Sequence, residues 1–265
     1  MVHLPRASAL GGLVVCSPLE AETARHYRKE VMLARRLAAA GVAVIRFHYR
    51  GQGNSRGHPH ETSFQGMVDD TLRAIAHLRS RARTQSLALL GTRFGALVAG
   101  AAASSFDRAP LVLWEPAIDA SSYFRQILRL RLMQDLRRGR SAASMNGLVE
   151  EIRTQGSVEV LGFAIPRSLY ESSEDKALLG ALGGTTRPIL LVQIEGRKRL
   201  AAPYVDFISS CQSRGLGVDS LTIPEEVPWW FVQAGGDPID SSPGTAALLE
   251  GTSPWVERRL QEATR

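Results

Sequence analysis

The chain has 265 residues, 44% of them hydrophobic, and a formal net charge of +6, which suits one substantial core and argues against long disordered stretches. Acidic residues are interleaved with basic ones and no aromatic-and-basic module is visible, so nucleic acid is not an expected partner. Two cysteines, Cys16 and Cys211, are too few for a disulfide framework and lack metal-ligand spacing, so the expectation is a cytoplasmic protein with no metal and no cofactor.

Read in chain order, short apolar runs alternate with amphipathic segments, the pattern of an α/β protein with a mostly parallel sheet covered by helices on both faces. Strands are expected at Gly12–Cys16, Val42–Phe47, Ser86–Leu90, Pro110–Trp114, Pro188–Ile194 and Val218–Ile223, each a branched or Leu-rich run bounded by Gly, Pro or charge. Helices are expected at about Tyr27–Ala40, Ser63–Arg81, Gly95–Ser104, Tyr204–Gly215 and Pro254–Ala263. Leu13-Val14-Val15-Cys16 loosely resembles a lipoprotein cleavage box, but Val15 is bulky and Arg6 is the only charge before it, so it reads as a buried strand. No uncharged apolar run reaches the ~18 residues of a membrane span. No transmembrane segment is expected.

The rhythm breaks from about Ile118 to Leu182, which is polar, Arg-rich and helical in pattern, without a convincing central strand. Residues 1–265 therefore read as one domain, with 118–186 inserted as a helical cap over the C-terminal strand ends. Within it Phe124, Ile127, Leu128, Leu132 and Leu136 are expected on one helical face, with Arg125, Arg129, Arg131, Arg137, Arg138 and Arg140 on the rest. That basic face is either simply solvated or faces an acidic protein partner or a membrane surface.

Three ordered segments carry a family resemblance. Val42 to Ser55, which includes Arg46-Phe47-His48-Tyr49-Arg50-Gly51-Gln52-Gly53, resembles a strand-and-turn signature whose usual acidic residue is His48 here. Leu89-Leu90-Gly91-Thr92-Arg93-Phe94-Gly95-Ala96 follows a strand and opens a helix, the setting of the nucleophile elbow G-x-S-x-G. Leu111 to Pro116 resembles the next strand of the same fold. Together they look like the α/β-hydrolase superfamily, in its serine aminopeptidase S33-like branch. Arg93, the Trp114-Glu115-Pro116 strand end and Phe124 to Leu132 are similar to the exosortase-system-associated hydrolases of type 2. That resemblance implies a bacterial export or surface-polysaccharide setting.

The chemistry does not follow the fold. Arg93 stands at the raised elbow position, and a guanidinium stays protonated and cannot attack a carbonyl. Thr92 should point into the sheet. The acid expected after Pro188–Ile194 is represented only by Glu195, and the loop after Val218–Ile223, with Trp229 and Trp230, contains no histidine. All six histidines precede residue 78. Without nucleophile or base, standard serine hydrolysis is not expected.

Because a cation at a helix N-terminus opposes the macrodipole, something negative should sit beside Arg93. Three readings stand open. Glu115, with Glu195 behind it, fills the dead site as an internal ion pair. Alternatively Arg93, with the amides of Phe94 and of Cys16–Ser17, holds an anionic small molecule through its carboxylate or phosphate. The third is catalysis by an unconventional set, with Glu115 and Glu195 as acid/base groups or Cys16 paired with His48. His58 and His60, on a loop with Glu61, have loose metal-like spacing without a supported third ligand and read as surface residues, and Trp229 either packs in the core or lines a pocket.

Overall fold

The computed structural model describes residues 1–139, 144–183, 186–194, 199–223 and 243–264. Seven strands form one sheet: β1 (Val2–His3), β2 (Gly11–Cys16), β3 (Val42–Arg46), β4 (Leu87–Thr92), β5 (Leu111–Trp114), β8 (Ile189–Ile194) and β9 (Val218–Ile223). Their order is β1-β3-β2-β4-β5-β8-β9. All pairings are parallel except β1 with β3. This is the α/β-hydrolase fold. β2, β4, β5 and β8 are buried along their whole length, as continuous apolar strands covered on both faces must be.

Alternation along each strand sorts the side chains into two cores. Val14, Leu89 and Leu113 pack under α2 (Phe64–Ala82) and α3 (Gly95–Ala103). Leu13, Val15, Leu90 and Trp114 face α1 (Glu20–Ala39) and α9 (Pro243–Thr264). Trp114 is wholly buried, and its indole N–H donates to Thr252 Oγ1 at 3.1 Å, so the ring brings no orphaned donor with it. α2 starts where the sequence places it, with Ser63 capping the Gly66 amide.

Three expected boundaries differ. α1 starts at Glu20 rather than Tyr27, with Glu20 and Glu22 in its first turn, where carboxylates complement the helix dipole. α9 starts at Pro243 rather than Pro254, because Leu248, Leu249 and Val256 on both sides of that proline are buried against the sheet. α8 (Ala202–Gln212) begins with Pro203 in its first turn.

Between β5 and β8 lie α4 (Ala120–Arg137), α5 (Met145–Gln155), β6 (Ser157–Val160), β7 (Phe163–Pro166), α6 (Arg167–Ser173) and α7 (Leu178–Ala181). The β6–β7 hairpin is absent from the sequence reading. Its strands are only four residues long, and its turn places Leu161 at φ 55° before Gly162 at φ 87°, where Asn or Asp would normally signal a hairpin. The expected apolar face of α4 needs one correction. Phe124, Ile127 and Leu128 are buried, but Leu136 is 64% exposed. Each step of four residues advances the helix by about 40°, so by Leu136 the stripe has turned away from the core.

Candidate functional site

The C-terminal ends of β2, β4, β5 and β8 converge on the β4–α3 turn. Arg93 stands at its tip with φ 52°, a left-handed conformation that costs a non-glycine residue free energy. The surrounding backbone holds it there. The Arg93 amide donates to the Trp114 carbonyl at 3.0 Å, and the Arg93 carbonyl accepts from Ala96 and Ala117, both at 3.1 Å. Glycines permit the turn: a Cβ on Gly91 would lie 2.5 Å from Ala96 Cα, and one on Gly95 would lie 2.1 Å from the Cys16 carbonyl oxygen. Thr92 is fully buried on β4, and its hydroxyl has no hydrogen-bond partner among the described residues. It is no substitute nucleophile.

Arg93 is 5% exposed and is engaged from two elements. Its Nε donates to Glu22 Oε1 at 2.9 Å, and its Nη2 donates to Gln126 Oε1 at 3.1 Å. The second Glu22 oxygen accepts from the Tyr123 hydroxyl at 2.7 Å, and the Tyr123 ring lies 5.6 Å from the guanidinium carbon. Burial works against the charged arginine, but Glu22, with Tyr204 and Tyr123, outweighs it and raises its pKa above the ordinary value. Burial and the Glu22 carboxylate together push the Tyr123 phenol well above its usual range. Among the described residues, an Arg93–Glu22 ion pair thus joins α1, the elbow and α4 at this position.

Glu22, Tyr123 and Gln126 are missing from the sequence reading. The signal for Glu22 is the acidic pair Glu20 and Glu22 just after Pro18, a helix start placed seven residues too late. The expected partner, Glu115, has φ 43° and accepts the Ile194 amide through Oε2 at 2.5 Å. It ties the end of β5 to β8, and the carboxylate bonded to Arg93 Nε is Glu22. Phe94 is wholly buried, its ring 5.2 Å from Tyr123 and 5.7 Å from Phe124, so its side chain is core and only its backbone faces the turn.

Cys16 is wholly buried, 3.7 Å from Thr71 Oγ1, and burial pushes its thiol up to about 12, opposite to what a reactive cysteine needs. His48 stacks on Tyr27 at 6.4 Å. His58, His60 and Glu61 lie on an exposed 3-10 turn, and no group of three metal-ligating side chains occurs among the described residues. Glu195 and Trp229 lie outside the described residues. No described helix is long and apolar enough to cross a membrane.

Ser17 supports the turn from behind. Its hydroxyl donates to Glu30 Oε2 at 2.8 Å, and Arg46 Nη2 lies 3.5 Å from the same oxygen. Burial raises the Glu30 carboxyl to about 7 against the pull of Arg46 and Ser17. Folding therefore retains a proton that the unfolded chain releases above ~4.3. Stability from this group is complete below that value and falls as pH rises toward 7, by up to about 4 kcal/mol at ~1.4 kcal/mol per pKa unit. Urea denaturation at pH 5 and pH 8 should show this slope in the native chain and a flatter one in Glu30→Gln.

The space among α1, the 51–62 segment, α4 and the hairpin, bordered by Leu19, Tyr123, Ile127 and Phe163, amounts to about 30 Å³. That holds a water molecule, whereas small-molecule sites span roughly 300–1,000 Å³.

The model of the serine aminopeptidase S33 family matches residues 12–156. No curated protein sequence matches the chain. Among solved structures, ferulic acid-bound Est1E from Butyrivibrio proteoclasticus is 14% identical, with a TM-score of 0.67 over 99% of this chain and 93% of that one. Proline iminopeptidase from Mycobacterium smegmatis is 15% identical, with a TM-score of 0.59 over 99% and 95%. An alpha-beta serine hydrolase homologue from Coxiella burnetii is 13% identical, with a TM-score of 0.51 over 98% and 90%. At these identities the likeness carries the fold and not the activity.

Proposed function

The chain belongs to the serine aminopeptidase S33 family, and from that premise we propose that it is a non-catalytic member, a binding or accessory protein whose elbow has become a structural joint. The observation that carries this reading is the buried Arg93–Glu22 pair at the nucleophile position. A serine enzyme of this fold needs a hydroxyl there and an imidazole to deprotonate it, and the sequence has no histidine after His77. The similarity of Arg93, Trp114-Glu115-Pro116 and Phe124 to Leu132 to the exosortase-associated type 2 hydrolases supports a cytoplasmic role in bacterial export or exopolysaccharide production. An anionic small molecule at Arg93 would share the guanidinium with Glu22 and Gln126, which already accept from two of its N–H groups.

A second reading is hydrolysis of an ester, thioester or related acyl substrate by a non-serine site. It draws support from the hydrolase names of the structural neighbours and from the Glu22 and Glu115 carboxylates at the elbow.

Assays with p-nitrophenyl acetate and butyrate separate the two. The non-catalytic reading expects background rates from the native chain and still from Arg93→Ser. Turnover by the native chain that Glu115→Gln abolishes would favour the enzyme.

A further inference from the structure

The inserted helix α4 divides into two halves with different surroundings. Its first half is held against the elbow by buried Tyr123, Phe124, Ile127 and Leu128. Beyond that, Asp135 is buried and paired with Arg131 at 2.9 Å, and Arg131 Nη1 donates to the Glu159 carbonyl of β6, so the far end is fixed as well. The opposite side of the helix faces outward. Arg125, Arg129, Met133 and Arg137 recur at steps of four residues, and with Leu136, three beyond Met133, they form one exposed stripe. Met133 is 55% exposed and Leu136 64%.

Charge is concentrated on this helix. With its caps Asp119 and Arg138, α4 carries five arginines against two aspartates, a net +3 within a chain of net +6. Asp119 is spent capping the helix start, and the buried Asp135 is paired with Arg131. Arg129 and Arg137 have neither a hydrogen bond nor an ion pair among the described residues. Structural arginines usually find a carboxylate or carbonyl, as Arg131 does. Two arginines bracketing two exposed long apolar side chains on a rigid helix fit a partner that is at once anionic and apolar just beneath its surface.

We propose that this outer stripe of α4 docks the protein on an anionic phospholipid surface. Arginines meet the phosphate headgroups while Met133 and Leu136 enter the boundary of the acyl region, the way an interfacial helix binds in the plane of a bilayer. With only two apolar anchors, the attachment is peripheral and reversible, dominated by charge and weakened by salt. An acidic macromolecule recognised by charge alone would leave Met133 and Leu136 unused, whereas a lipid surface meets the charged and the apolar parts of the stripe in one plane.

Co-sedimentation of the full chain with vesicles tests this. Binding is expected to phosphatidylcholine vesicles containing about a third phosphatidylglycerol and not to pure phosphatidylcholine, with loss at high salt. Arg129→Glu with Arg137→Glu should weaken binding at least tenfold. Met133→Ser with Leu136→Ser should weaken it several-fold at unchanged net charge. All four side chains are exposed, so both variants should keep the native circular dichroism and melting curve. No binding to phosphatidylglycerol vesicles would overturn the proposal, as would equal binding by the arginine variant. Binding unaffected by the serine pair would also overturn it, in favour of an acidic macromolecule recognised by charge.

Discussion

Glu22→Ala is expected to destabilise the fold by about 3–5 kcal/mol, the loss typical when one member of a buried ion pair is removed. Arg93 would remain 5% exposed, its Nε without the Glu22 acceptor at 2.9 Å. The Tyr123 hydroxyl would lose its acceptor at the same time, adding the cost of an orphaned buried donor. Arg93→Met should cost a similar amount, since it leaves the Glu22 carboxylate buried against a phenol. The two losses should not add. Combining Glu22→Leu, Arg93→Met and Tyr123→Phe removes the buried ion pair and the hydroxyl bonded to it together, and the triple variant should recover most of the single-variant loss. Urea denaturation of the two singles and the triple provides the measurement. Additive losses would mean that the three side chains do not act as one unit.

Gly95→Ala is expected to prevent folding altogether. The added methyl would sit 2.1 Å from the Cys16 carbonyl oxygen and 2.6 Å from that of Ser17. Both obstacles are backbone, at the end of a strand paired on each side by β3 and β4, and neither can turn aside as a flexible side chain would. Relief requires moving the start of α3 away from β2, which would open the core around Phe94 and Leu97, both wholly buried. A loss beyond 4–5 kcal/mol is exceptional for a point substitution, and this one has a named cause. Gly180 in α7 is the control, because a Cβ there meets nothing within 4 Å. Gly180→Ala should leave the chain folded and raise stability by about 0.5–1 kcal/mol through helix propensity. Soluble expression and thermal melts of the two variants decide the matter.

Gly91 and Gly95, which flank the elbow, also mark what the sequence makes readable. β2, β3, β4, β5 and β8 stand out because β-branched and leucine runs buried on both faces leave continuous apolar segments, and the elbow stands out because two small residues must flank a tight strand-to-helix turn. Arg93 at its tip is legible for the same reason. Its partner is not. Glu115 is a neighbour along the sheet edge and so a natural candidate, but Glu22 comes from a helix 71 residues earlier in the chain. Only the packing of the first turn of α1 over the C-terminal end of β4 brings the two together. Tyr123 and Gln126 reach the site from an insertion whose placement no periodicity encodes. The β6–β7 hairpin escaped for a local reason: its short, partly exposed strands leave no continuous apolar run, and a leucine at a positive φ gives no turn chemistry to read.

The outward rotation of Leu136 has the same origin as its usefulness. A stripe drawn by steps of four residues drifts by ~40° per step, so an apolar pattern that begins in the core ends in solvent. The sequence shows the leucines and the arginines; the structure shows that the last of the leucines lies on the arginine side.

The most direct measurement is labelling with a fluorophosphonate probe, followed by mass spectrometry of the intact chain and its peptides. This reagent reacts only with a serine made nucleophilic by a neighbouring base. The native chain should remain unlabelled, and so should Arg93→Ser, because restoring the hydroxyl does not restore the base. Stoichiometric labelling of any serine in the native chain would contradict the account.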